Sequence, residues 1–330
     1  MNLTPPAAQQ QSLEQFRQLL FHLQMQVGSI HDIFRFFKEQ ESMRHFEALK
    51  AIDPNLMSQL LAREFVLEAR KSPNPDNARS HLETALQLDP QCPEAFLELA
   101  AISDTPEGAM KWYSRCMDFT LNQLGSSRFD ELIADFKEKP WHQVELHTFL
   151  KAKASLGEKL FREGYYEVAI LHFKDMLEWN PSDDIFIRHF LMIALLCENR
   201  LQEAQLLKMD FASDLSAQWY YSKAFLQFKL EGETRRSNRL LMRAFNRNLW
   251  AAIYALGLKE MPELHEPKAN AQLFSSIKSQ SFQLPTLSNC NAFKEGGKEE
   301  AVDCVKCIAP IILEDEQLAA WIWGMLKQMV

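Results

Sequence analysis

Cysteines and a histidine-containing stretch come first, because both could hold a metal. Cys304-Val305-Lys306-Cys307, with Cys290 upstream, has the paired-thiol spacing of structural zinc sites. No second pair completes a tetrahedron unless His265 folds back. The pair also falls in an apolar helical stripe, Ala301, Val302, Val305 and Ile308, where thiols pack as small hydrophobes. Core packing is the better account. In WHQVELH, His142, Glu145 and His147 stand at offsets of three and five, which do not bring all three onto one helical face. No metal site and no cofactor is expected.

Arginine makes a second constellation. In RRSNRLLMRAFNRN, Arg235, Arg239, Arg243 and Arg247 recur at four-residue steps, with Arg236 beside them. Such a stripe could hold phosphates or an acidic surface. The competing account, which weighs more, pairs it with the chain's own Glu295, Glu299 and Glu300. Catalytic patterns are missing: there is no G-x-S-x-G elbow, no glycine-rich loop before Lys-Ser or Lys-Thr, and no local Ser-His-Asp order. No catalytic residue is assigned, and a non-enzyme is expected.

The elements that must position these residues are helices. Only 10 glycines and 14 prolines interrupt 330 residues rich in Leu, Ala, Glu, Gln, Lys and Met, which favours an all-α fold. A net charge of −8 argues against nucleic acid as the main partner, since phosphate contacts need many cations on one surface. Six scattered cysteines form no dense disulfide framework, which points to a reducing compartment, the cytoplasm. The start MNLTPPAAQQQ has no basic-then-apolar leader, and no 18-residue apolar run could span a bilayer. Export by a non-classical route stays open.

Residues 1–55 carry apolar stripes at three- and four-residue steps and are expected to form a helical extension. From 56 to 261 a spacing recurs. Gly157, Ala169, Phe173 and Pro181 run small, small, aromatic, proline, and Ala78, Leu82, Ala85 and Pro90 repeat the second half. A degraded copy carries Phe96, Leu99, Ala100, Ala109, Tyr113 and Cys116. Two more centre on Glu198-Asn199-Arg200 and on Gly232. The pattern matches the tetratricopeptide repeat and predicts about five helix pairs in a right-handed α-solenoid. An insertion near 117–149 carries one extra helix through Phe129, Leu132, Ile133 and Phe136. Residues 262–330 read as a loop-rich segment and a C-terminal helical cap.

Over roughly 55–330 the chain resembles a bacterial family of tetratricopeptide proteins related in repeat order to the suppressor-of-tumorigenicity proteins of animals. The stretches that carry the likeness are ALQLDPQCPEAFLELA, the insertion ending EKPW, LFREGYYEVAILHFKDMLEWNPSDD, AQWYYSKAFLQFKLEG and the late EEAV with its Trp-containing end. The resemblance implies a helical-repeat scaffold with an inserted helix and a cap, and no reaction.

In a solenoid of this kind the solvent side of each first helix lines a groove. That places Arg63, Arg70 and Lys71 from the first pair there, and Glu94 and Leu97 from the second. The third contributes Lys151, Glu158 and Arg162, the fourth Phe186 and His189, and the fifth Trp219 and Lys229. The expected function is a protein- or peptide-binding scaffold using that groove. The alternative is a secreted or membrane-associated bacterial effector or regulator whose Arg235–Arg247 stripe meets anionic lipid or nucleic acid.

Overall fold

A computed structural model describes residues 54–135, 144–183, 185–262 and 293–329, and every regular element among them is an α-helix. The described chain divides into two compact units between Lys153 and Ala154. Most of the expected N-terminal extension and of the expected loop-rich segment, with Phe136, His142 and Cys290, lie outside the described residues.

In the first unit α1 (Pro54–Lys71) packs on α2 (Pro75–Leu88), and α3 (Pro93–Ala101) on α4 (Pro106–Leu124). Proline opens α2, α3 and α4 at a position whose N–H has no helical partner, so the ring removes nothing. Asn74 and Thr105 cap α2 and α4 by accepting the N–H groups of Asp76 and Gly108. Ala62, Ala69, Ala78 and Ala85 keep the helices close, while Val66, Leu82 and Leu99 fill the core between them. The inserted helix is α5 (Ser126–Asp135), whose Phe129 meets Phe149 of α6 (Val144–Arg162) edge to face at 4.9 Å. Because α4 runs to Leu124 and α6 begins at Val144, the outer parts of the expected insertion belong to helices of the neighbouring pairs.

The second unit takes the end of α6, then α7 (Tyr166–Trp179), α8 (Ile187–Cys197), α9 (Leu201–Asp210), α10 (Ala217–Glu231) and α11 (Arg235–Arg247). Gly157 marks a close crossing: a Cβ there would stand 2.7 Å from the ring of Phe173. Phe173 is fully buried beside Phe190, which also meets Phe161 edge-on at 5.3 Å. α6 ends on Gly164 at φ 79°, with the N–H of Tyr165 returning to Leu160 and that of Gly164 to Phe161. This double bond closes the helix end and needs a left-handed residue. Asn199 does the same for α8 at φ 54°.

Three helices complete this unit: α12 (Leu249–Ala255), α13 (Lys298–Glu314) and α14 (Glu316–Lys327). The sequence did not announce α12, seven residues that follow α11 with Asn248 serving both ends. The expected cap proves to be more than an end piece. α13 packs on α8 and α10 as well as on α12, so it lies across both of those helices. Ten of its 17 residues are buried, and Gln218 of α10 donates to Asp303 at 3.0 Å. The helix continues through Pro310, where Ile308, Ile311 and Ile312 are buried on either side. Their packing offsets the backbone bond the ring removes, a cost of about 3 kcal/mol.

Candidate functional site

In unit one α1, α3 and α6 bring together side chains that are distant in sequence. Arg63 on α1 stands 3.4 Å from Glu94 on α3, and two turns further along α1 and one along α3 Arg70 Nε donates to Glu98 at 2.6 Å. Lys151 on α6 is half-buried, and burial, reinforced by the Arg70 charge, lowers its amine to about 8. The result is a ladder of three cations and two carboxylates across α1, α3 and α6. Glu98 was not anticipated, although its place four residues after Glu94 is the signal for it. Lys71 lies at the exposed end of α1 and pairs with Glu68 at 2.9 Å.

Two residues expected on this face are not open to solvent. Glu94 is buried against Arg63, and Leu97 belongs to the cluster of Phe96, Cys116 and Ala152 between α3, α4 and α6. α3 is enclosed on almost every side, so only Glu98 and Ala101 keep appreciable exposure.

In unit two the expected groove residues are largely accounted for by the chain itself. Glu158 and Arg162 pair along α6 at 2.6 Å. Lys229 on α10 binds Asp315 at the α13–α14 turn at 2.8 Å. Trp219 and His189, expected at the surface, are both 0% exposed. The correction has a packing cause: Trp219 lies with its ring near His189 (5.9 Å) and Phe211 (6.2 Å), inside the seam of α8, α10 and the connection before α10. Phe186, half-buried in a left-handed conformation, stacks on His189 at 5.8 Å.

His189 belongs to a buried polar cluster that sequence patterns did not reveal. Asp183 accepts the N–H groups of Ile187 and Arg188 at the start of α8, and Arg188 bridges Asp183 (3.0 Å) and Asp214 (2.6 Å). The guanidinium lies between the rings of Phe186 and Phe211. Burial pushes Asp183 up. Asp214 feels burial too, but contacts from His189, Ser216 and Arg188 outweigh it and hold its carboxyl well below the usual range. A Ser-His-Asp trio is therefore present, yet it does not have catalytic geometry. Asp214 Oδ2 (2.9 Å) and Ser216 Oγ (3.1 Å) both address the same imidazole nitrogen, Nε2. A relay needs the acid on one nitrogen and the hydroxyl on the other. Ser216 also caps α10 through the Trp219 N–H, so the trio serves as a clasp between chain segments.

A cleft of about 440 Å³ opens where α8 ends beside α10 and the α13–α14 turn. Its Cys197 thiol is pushed up to about 12 by burial and the nearby Glu314 carboxylate, which leaves it protonated and a poor nucleophile. Tyr166 donates to the same Glu314 at 2.5 Å. Cys304 and Cys307 are buried in α13 and His147 in α6. Among the described residues no three His, Cys, Asp or Glu side chains are grouped to hold a metal ion.

The arginine stripe divides. An α-helix turns 100° per residue, so four-residue steps drift by about 40° each and Arg247 ends about 120° round from Arg235. Arg247 accordingly turns inward, half-buried, onto Glu300 (2.9 Å), Glu295 (3.5 Å) and the Leu215 carbonyl. Arg235, Arg236, Arg239 and Arg243 are exposed. Among the described residues Arg236 has only a long contact to Glu231 (3.6 Å), and Arg235, Arg239 and Arg243 make no ion pair. Self-neutralisation thus holds for one arginine and does not extend to the others.

No helix among the described residues is long and apolar enough to cross a membrane. No family profile and no curated protein matches the chain.

Proposed function

We propose that the chain is a non-catalytic scaffold of tetratricopeptide type, a solenoid of helix pairs that binds a protein or peptide segment on the face of its first helices. The observation that carries this reading is the ladder of Arg63, Glu94, Arg70, Glu98 and Lys151, five ionic side chains from three separate helices meeting on one face of unit one. The Arg70–Glu98 pair keeps appreciable exposure, where an ion pair adds typically about 0–1 kcal/mol, so stability alone gives weak reason for that pair. A partner with its own charges can exchange with these pairs, which makes register and specificity the natural use. Unit two supports the same reading from another side. There α13, a segment of the chain, already lies on the equivalent first helices, so a face of this type accommodates an amphipathic helix.

The test replaces Arg63 and Arg70 together by Gln, a change that removes charge without setting new like charges against Glu94 and Glu98. Partner recovery from native lysate on the immobilised chain should fall severalfold for R63Q/R70Q, and R70Q alone, at the more exposed pair, should lose recovery while the thermal midpoint moves by less than about 1 kcal/mol equivalent. Equal recovery by both proteins, at unchanged fold, overturns the assignment of this face.

A further inference from the structure

The outward side of α11 is a second surface, on a different unit from the ladder, and it has chemistry of its own. Arg235, Arg236, Arg239 and Arg243 are exposed along it, within an arc of about 100° and over about 12 Å of helix. The opposite side of the same helix is fastened: Leu241, Ala244 and Phe245 are buried, Thr234 and Ser237 form a reciprocal cap, and Asn238 accepts from Trp321 of α14 at 2.7 Å. The four guanidinium groups are therefore carried on a rigid rod rather than on a loop. Four like charges so close repel one another, and among the described residues only the long Arg236–Glu231 contact offsets them. An anionic occupant would relieve that repulsion.

We propose that this face docks an acidic segment of another protein, one presenting carboxylates at three- and four-residue spacing. Three observations select a protein segment over a membrane or a nucleic acid. The chain carries −8 overall, so with five arginines on α11 and no acidic residue there, the remainder carries −13. An extended polyanion would have to approach that remainder as well. A segment about as long as α11 meets only the arginines, because charges beyond roughly 8 Å are screened at physiological salt. Second, α11 exposes no apolar or aromatic side chain to enter lipid or stack on bases: Phe245 is buried and Leu240 and Met242 are half-buried. Third, the spacing of 236, 239 and 243 matches that of carboxylates on one face of a helix, and guanidinium takes a carboxylate through two parallel hydrogen bonds.

The test titrates the full chain with a labelled alanine-based peptide bearing glutamates at i and i+4, its glutamine counterpart, phosphatidylserine-containing vesicles and a short DNA duplex. The expected result is saturable binding of the glutamate peptide that weakens about tenfold or more in R239Q/R243Q, and no binding of the glutamine peptide. Each single variant, R239Q or R243Q, should lose roughly threefold, which keeps the test decisive if the pair alters folding. Unchanged affinity in the variants, failure to bind the glutamate peptide at low salt, or tighter binding of vesicles or duplex than of peptide overturns the proposal. R63Q/R70Q should bind the glutamate peptide like the wild type, so this surface and the ladder fail or succeed separately.

Discussion

On Asp214 three polar contacts of unit two converge: it takes Arg188 and His189 on one oxygen and the Ser216 N–H on the other. Removing a buried partner of this kind strands the remaining charge, a loss of about 3 kcal/mol or more. Asp214→Asn, nearly isosteric, should therefore lower stability by about that amount at neutral pH. The pH dependence has a definite sign. The folded-state carboxyl titrates below its unfolded value near 3.9, so its contribution is present above that value and fades as pH falls toward the folded one. Asp183, pushed up by burial, works the other way and gains as pH falls. Urea midpoints of the wild type and D214N should differ from pH 7 down to about pH 4 and converge below it. A gap constant to about pH 3 would show that the charge of Asp214 is not what holds the clasp.

Among the elements, α13 depends on one residue at its first turn. Glu300 is 1% exposed and receives Arg247 (2.9 Å), Asn248 Nδ2 (2.8 Å) and the Gly296 N–H (2.7 Å). These contacts join the start of α13 to the α11–α12 junction, where the apolar stripe of α13 alone would not set the register. Glu300→Ala leaves Arg247 half-buried without its nearest carboxylate and should destabilise unit two by about 3–5 kcal/mol. Glu300→Gln should recover part of this, because an amide oxygen still accepts from Asn248 and Gly296. Thermal melts of the three proteins check it, and equal midpoints for Ala and Gln would place the whole effect in the ion pair. The helix ends, by contrast, are set locally. Gly164, Asn199, Thr105, Ser216 and Thr234 act on backbone groups within one turn of themselves, so their meaning does not depend on the rest of the chain.

At the scale of the molecule, the consequence of α13 is that α8 is covered on all sides: residues 187–196 are all buried, whereas α9 exposes Leu206 and Met209. Amide exchange should accordingly be slowest in α8 and much faster in α9, and mass spectrometry finding the two alike would show that α13 does not stay on its seat. What the sequence determined unaided was the helical class and the helix breaks at Asn199 and Gly232. Periodicity, proline at helix starts and left-handed residues at helix ends all act through contacts a few residues apart. What only the tertiary structure decided was which faces stay open. His189 and Trp219 stand in the same sequence pattern as Arg63 and Arg70, and the pattern does not separate an exposed position from a covered one. The difference comes from what packs over them, Lys298–Glu314 from far along the chain across α8 and α10 and the Phe211–Ser216 connection against His189 and Trp219. An apolar stripe records that a helix must be covered without recording by what, because hydrophobic burial is non-directional and any complementary surface can supply it.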